Sequence, residues 1–143
     1  MVTVRMTMQA GQDQAHAPLT YRLAAVPALL IASVLARWLP LRATLAIVRT
    51  TKRATGRHPL SRDGAQVVLR ARDWAAARFP GRSACMEASL AAVLLAACTG
   101  HGVDWCIGCR FNPAQSHAWI EVDYQPVGEP QTPDRPFHVT IRI

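Results

Sequence analysis

The hydrophobic pattern of this chain changes period once, near Gly102, and that switch narrows the folds open to it. Before Gly102, apolar residues recur every three to four positions; after it they alternate with polar ones. The first pattern predicts a helix over 19–38, stopped before Pro40. A second is expected over 41–54, closed by Gly56, with Lys52 and Arg53 in its last turn where the helix dipole favours cations. A third is expected from Ser61 to Pro80-Gly81, with Asp63 in its first turn and Val67, Ala71, Trp74 and Ala75 as its apolar stripe. A fourth is expected over 84–97, with Ser83 as N-cap. Its stripe is Met86, Leu90, Val93, Leu94 and Ala97, and Gly100 stops it. Beyond Gly102, residues 103–111, 117–123, 126–129 and 138–143 read as strands. Helices followed by alternating strands make an α+β domain with an antiparallel sheet.

A chain of 143 residues is one ordinary domain, able to bury roughly two-thirds of its unfolded surface without disulfides or metals. Half the residues are hydrophobic and 17% are charged, a balance that disfavours disorder beyond the polar residues 1–18, expected as a flexible tail. The net charge of +7 is almost wholly arginine, since Lys52 is the single lysine. Compositional bias accounts for it; the functional readings are an acidic protein or peptide partner, or an anionic membrane surface. Nucleic acid is not expected, because few aromatics interleave with the arginines. The apolar run 23–36 is expected to be too short to span a bilayer and too far in for a secretory signal. The reading is a cytoplasmic protein with reduced thiols, interfacial membrane contact being the weaker alternative.

The residues that can carry chemistry lie on either side of the period switch. Cys85 falls in the first turn of the fourth helix, where unpaired backbone N–H groups and the positive end of the dipole favour a thiolate. The same N–H groups can hold an oxyanion. Cys98, near the far end of that helix, has neither benefit and reads as packing. His117 opens a strand in which alternation places His117, Trp119, Glu121 and Asp123 on one face and Ala118, Ile120 and Val122 on the other. A histidine on a strand laid against the tip of a cysteine-bearing helix suits Cys–His acyl transfer, completed by a third group that orients the imidazole. If the next hairpin loop is Asp123-Tyr124-Gln125, Val122 pairs with Pro126 and Glu129 shares the face of His117. A two-residue loop would put Glu129 on the opposite face. Glu129 is favoured as the third group, with Asp123 and Asp134 as rivals. The spacing of one Cys and one His does not by itself separate this reading from two packed side chains.

Four blocks in order sharpen it: CMEASLA from Cys85, GVDWCIGCR from Gly102, SHAWIEVD from Ser116 and PVGEP from Pro126. Together they resemble the lasso-peptide leader peptidases, the protease half of the bipartite lasso-peptide B protein, over residues 71–143. The helical first half shares only its Leu/Ala/Arg-rich character. Met86, Cys109, Ser116 and Tyr124 stand where the family usually has Leu, Val, Ala and Gly. The resemblance implies a transglutaminase-like, papain-related core over 82–143, in which a Cys-bearing helix packs on an antiparallel sheet. It implies Cys85 as nucleophile, His117 as base and Glu129 as acidic member, with no cofactor. Residues 19–81 would then be a helical partner- and leader-docking segment. The implied reaction removes the leader from a ribosomally made lasso-peptide precursor delivered by a separate leader-binding recognition-element protein. A cyclase, itself a further candidate partner, then closes the macrolactam.

Three rival readings remain. Cys98, His101, Cys106 and Cys109 form C-x2-H-x4-C-x2-C, which imitates a zinc knuckle, but i and i+3 in a strand point to opposite faces. The same triad could pass its acyl group to an amine or an acetyl carrier, as a transglutaminase or an arylamine acetyltransferase would. Or the chain is a membrane-associated scaffold with an inert triad.

Overall fold

The computed structural model describes residues 16–81, 83–129 and 136–143. In chain order its elements are α1 (Leu19–Trp38), α2 (Leu41–Thr55), β1 (His58–Pro59), α3 (Arg62–Ala76), α4 (Cys85–Cys98), β2 (His101–Gly102), β3 (Asp104–Arg110), β4 (Gln115–Val122), β5 (Gln125–Pro126) and β6 (His138–Arg142). Strands β5-β4-β3-β6 form an antiparallel sheet, and β1 and β2 a two-residue parallel ribbon. The architecture is the expected α+β one. Of the expected tail, residues 1–15 lie outside the described residues, as does Asp134.

Local chemistry sets the helix boundaries. Leu39, held extended at φ −102 and ψ 144 because a proline follows it, ends α1, and Pro40 opens α2. The Ser61 hydroxyl accepts from the Gly64 N–H at 3.0 Å and starts α3. That helix ends at Ala76, short of Pro80. Its buried side is Ala65, Val68, Leu69, Ala71 and Ala75, while Val67 and Trp74 of the expected stripe are only partly covered.

The larger correction concerns α4. It is not an amphipathic helix with one core face but the central element, touched by α1, α2, α3 and the sheet. Leu90 to Val93, Leu95 and Ala96 are all buried, while Met86, Leu94 and Ala97 of the expected stripe are partly covered. A helix that is apolar all round is one that must be enclosed. Trp105 of β3, fully buried, donates its indole N–H to the Ser89 hydroxyl of α4 at 2.9 Å and fixes sheet to helix. One contiguous hydrophobic core runs from Ala17 to Val127.

Helix α1 packs Ala25, Ala28, Leu29 and Ala32 into this core and leaves Leu19, Leu23, Leu30, Ile31, Val34 and Trp38 exposed. At 20 residues and with mean hydropathy 1.8 it is long and apolar enough to cross a membrane. The expectation that its apolar run is too short therefore does not hold, although its inner side lies in the core.

The β4–β5 hairpin has a two-residue loop, not three. Glu121 pairs with Pro126 and Val122 with Gln125, with Asp123 and Tyr124 at φ 51 and φ 61. Positive φ at both loop positions matches the twist of a two-residue hairpin. Arg142 lies over the Tyr124 ring at 5.0 Å. This register should turn Glu129 away from His117. Pairing stops, however, after the Val127 N–H to Ile120 carbonyl bond of 3.1 Å, and Gly128 adopts φ 73. That left-handed residue breaks the alternation, and the chain leaves the sheet with Glu129 turned back toward the histidine.

Candidate active site

Cys85 is the first residue of α4 and is exposed. The N-cap is Ala84, not Ser83, and no side chain among the described residues caps this helix. The first helical hydrogen bond is Ala88 N–H to Ala84 carbonyl at 3.0 Å. The N–H groups of Cys85, Met86 and Glu87 therefore have no partner within the helix. They and the dipole favour negative charge at the Cys85 sulfur and can receive an oxyanion beside it. The one acid in this first turn, Glu87, is buried and accepts from Arg37 Nε at 2.8 Å, so its charge is compensated from α1.

His117 sits near the start of β4, beyond the point where β5 ends, so that among the described residues only β3 pairs with the strand here. Its Nε2 lies 2.8 Å from Glu129 Oε2. With the carboxylate accepting, Nε2 carries the proton and the Nδ1 lone pair is left for an incoming proton. The imidazole stacks on Trp119, centroids 5.9 Å apart and planes at 18°, and Phe137 leans on both rings. Trp119 occupies that place because residue 108 is glycine: a Cβ there would stand 2.7 Å from the indole and 2.4 Å from the His138 carbonyl oxygen.

Cys85, His117 and Glu129 line one cavity of about 180 Å³ together with Leu69, Arg72 and Gly128. The helix tip supplies the thiol, the start of β4 the imidazole and the turn after β5 the carboxylate. A nucleophile, a base and an acid hydrogen-bonded to that base are the parts that acyl transfer needs. Asp123 lies in the β4–β5 turn, at the other end of the strand from His117, and does not reach the cavity. Sequence reasoning did not anticipate Leu69 and Arg72. Both come from α3, and nothing in the pattern of that helix marks its side facing Cys85.

The other cysteines differ. Cys98 is exposed rather than packed, which corrects the sequence expectation. Cys106 is fully buried, and that burial, reinforced by the neighbouring Glu121 carboxylate, pushes its thiol up to about 12. It stays protonated at neutral pH and cannot serve as a nucleophile. Among the described residues, no three His, Cys, Asp or Glu side chains group as metal ligands.

A family model described as the transglutaminase-like superfamily matches residues 28–142, from within α1 to the end of β6. No curated protein and no solved structure matches the chain.

Proposed function

Since that match covers most of its length, the chain belongs to the transglutaminase-like superfamily, whose members are usually cysteine-based enzymes, and we propose that it is a leader peptidase of lasso-peptide biosynthesis. In this reading Cys85, His117 and Glu129 form the catalytic triad. The observation that carries it is the 2.8 Å contact of His117 Nε2 with Glu129 in a cavity also lined by Cys85. The four sequence blocks that resemble the lasso-peptide leader peptidases support the substrate.

His117 Nδ1 takes the Cys85 proton, and the thiolate attacks the carbonyl carbon of the bond joining leader to core. The N–H groups at the tip of α4 hold the oxyanion. Collapse expels the core peptide, whose amine takes the proton from the imidazolium, and leaves the leader as a thioester on Cys85. His117 then activates water to release the leader as a carboxylate and restore the thiol. Glu129 keeps the imidazole in the required tautomer and stabilises its cation. The precursor arrives on a recognition-element protein, for which the helical half is the docking part.

Precursor cleavage, with and without the recognition-element protein, tests this reading. Cys85→Ala and His117→Ala are each expected to lower turnover by roughly 10⁴-fold or more. Glu129→Ala is expected to retain more activity than either, with a measurable loss. Cys85→Ala cutting as well as wild type ends the peptidase reading. A thioester that passes to added amine in preference to water moves the assignment to an acyltransferase.

A further inference from the structure

Glu121 is 3% exposed, and nothing in the proposed chemistry uses it. Its two oxygens serve different partners. Oε1 accepts the Trp119 indole N–H at 3.0 Å, and Oε2 accepts Arg142 Nε at 3.0 Å and Nη2 at 2.8 Å. Burying a carboxylate is expensive unless its charge and lone pairs are met, and here both are. The indole so held is the one stacked on His117. It is 5% exposed and rests over Gly108.

We infer that Glu121 and Arg142 act as positioning residues for His117, through Trp119. The bond to Glu129 fixes one nitrogen of the imidazole but leaves the ring able to swing about that contact. A planar surface against its face removes the swing, provided the surface itself cannot turn. Free to rotate about its own side-chain bonds, the indole would follow the imidazole rather than restrain it. The Nε1–H bond to Oε1 of a carboxylate whose other oxygen is held by two N–H groups of Arg142 stops that rotation. Strand β6 thereby sets the direction of Nδ1 without touching the reacting atoms, as outer partners orient metal-bound imidazoles. Among the described residues, the charged groups around this stack are Glu121, Glu129, Arg142, Arg72, which shares the cavity with both rings, and Arg110, which lies 4.6 Å over the Phe137 ring; the Cys85 and Cys106 thiols are the further titratable groups.

The test rests on the Cys85–His117 reading and needs no identified substrate. Purified full-length protein is alkylated with iodoacetamide between pH 5 and 9, and adduct at Cys85 is followed by peptide mass spectrometry. The variants are Trp119→Phe, which keeps an aromatic face but loses the N–H, Glu121→Ala, and the pair together. Val48→Ala, which truncates a fully buried side chain of α2 away from the cavity, is the control for a general loss of stability. The expected result is a fall of roughly 10-fold in the His117-dependent alkylation below pH 7 for each single variant. The pair should lose no more than either alone, and the control nothing. Full additivity in the pair, or wild-type profiles in the single variants, overturns the positioning role. If Glu121→Ala does not fold, the milder Trp119→Phe decides, and an unchanged profile there is the overturning result. If His117→Ala leaves the wild-type profile unaltered, there is no Cys85–His117 pair and both readings fall. A profile that depends on His117 but not on Trp119 or Glu121 removes only this inference.

Discussion

The two faces of β4 are both buried from Ala118 onward, yet they are buried by different means. Ile120 and Val122 join the apolar core under α4, opposite Trp105 and its neighbours. On the reverse face His117, Trp119 and Glu121 each have a directed partner: a carboxylate, a stacked ring, an indole N–H and a guanidinium. Apolar burial is non-directional and scales with area, so the first face tolerates small shifts and contributes stability. Hydrogen bonds and stacked rings depend on angle, so the second face contributes geometry. Substitutions on the first face should cost free energy of folding, and substitutions around the second should chiefly cost precision at the cavity.

The largest effect expected from this division lies on the core face. Leu95→Ala, in the α4 core against which this face packs, removes a side chain that is 1% exposed and does not line the cavity, and should cost about 2–5 kcal/mol in urea or thermal unfolding. The folded fraction at low temperature should nevertheless alkylate Cys85 with the wild-type pH profile. A changed profile in that fraction would mean that the two faces are mechanically joined, and the comparison would fail.

Gly128 is where the faces exchange roles, and it should show an intermediate effect of both kinds. Its φ of 73 is costly for any residue with a Cβ, and a Cβ there would stand 2.5 Å from Leu69 Cδ1. Gly128→Ala should destabilise by about 1–3 kcal/mol, read as a shift in urea midpoint. Because the same residue turns Glu129 toward His117, it should also weaken cleavage in the protein that remains folded. Lost stability with wild-type cleavage would show that Glu129 finds the imidazole without this turn.

Residue patterns told more about the helices and about which residues meet than about how they meet. Leu19–Trp38 is legible because Pro40 forces the end of α1 and the apolar run on both sides of Pro27 outweighs that internal proline. The antiparallel sheet is legible from alternation in His117–Val122. The all-round burial of α4 is not, because Ala, Val and Leu fit a one-sided stripe and an enclosed helix alike, and only the packing of three other helices decides. Glu129 was placed beside His117 through a three-residue hairpin loop that does not form. The contact arises instead from Gly128, whose positive φ has no counterpart in a period-two argument. Cys85, His117 and Glu129 converge from elements far apart in sequence, so no spacing rule could have joined them. The likeness of whole blocks to a family could.

The smallest effect at neutral pH, and the one that isolates electrostatics on the polar face, concerns Cys106. It pairs with Trp119 across the sheet and therefore shares its face, where burial and then Glu121 raise the thiol to about 12 from an ordinary 9.0. In the unfolded chain this thiol loses its proton near pH 9.0, whereas in the folded chain it keeps it until about 12. Between those values the unfolded state binds fewer protons, so stability must fall as pH rises, by at most about 1.4 kcal/mol per pH unit from this group. Below the unfolded value the contribution is fully present and flat. Cys106→Ala removes the titration but leaves every other alkaline group in place. The stability difference between wild type and variant, followed by urea unfolding at intervals from pH 7 to 10.5, should hold constant to about pH 8.5 and then shift against wild type. A difference that stays level to pH 10.5 would mean that this sulfur meets solvent, and that the polar face of β4 is not sealed by β6 as its rings and ion pair imply.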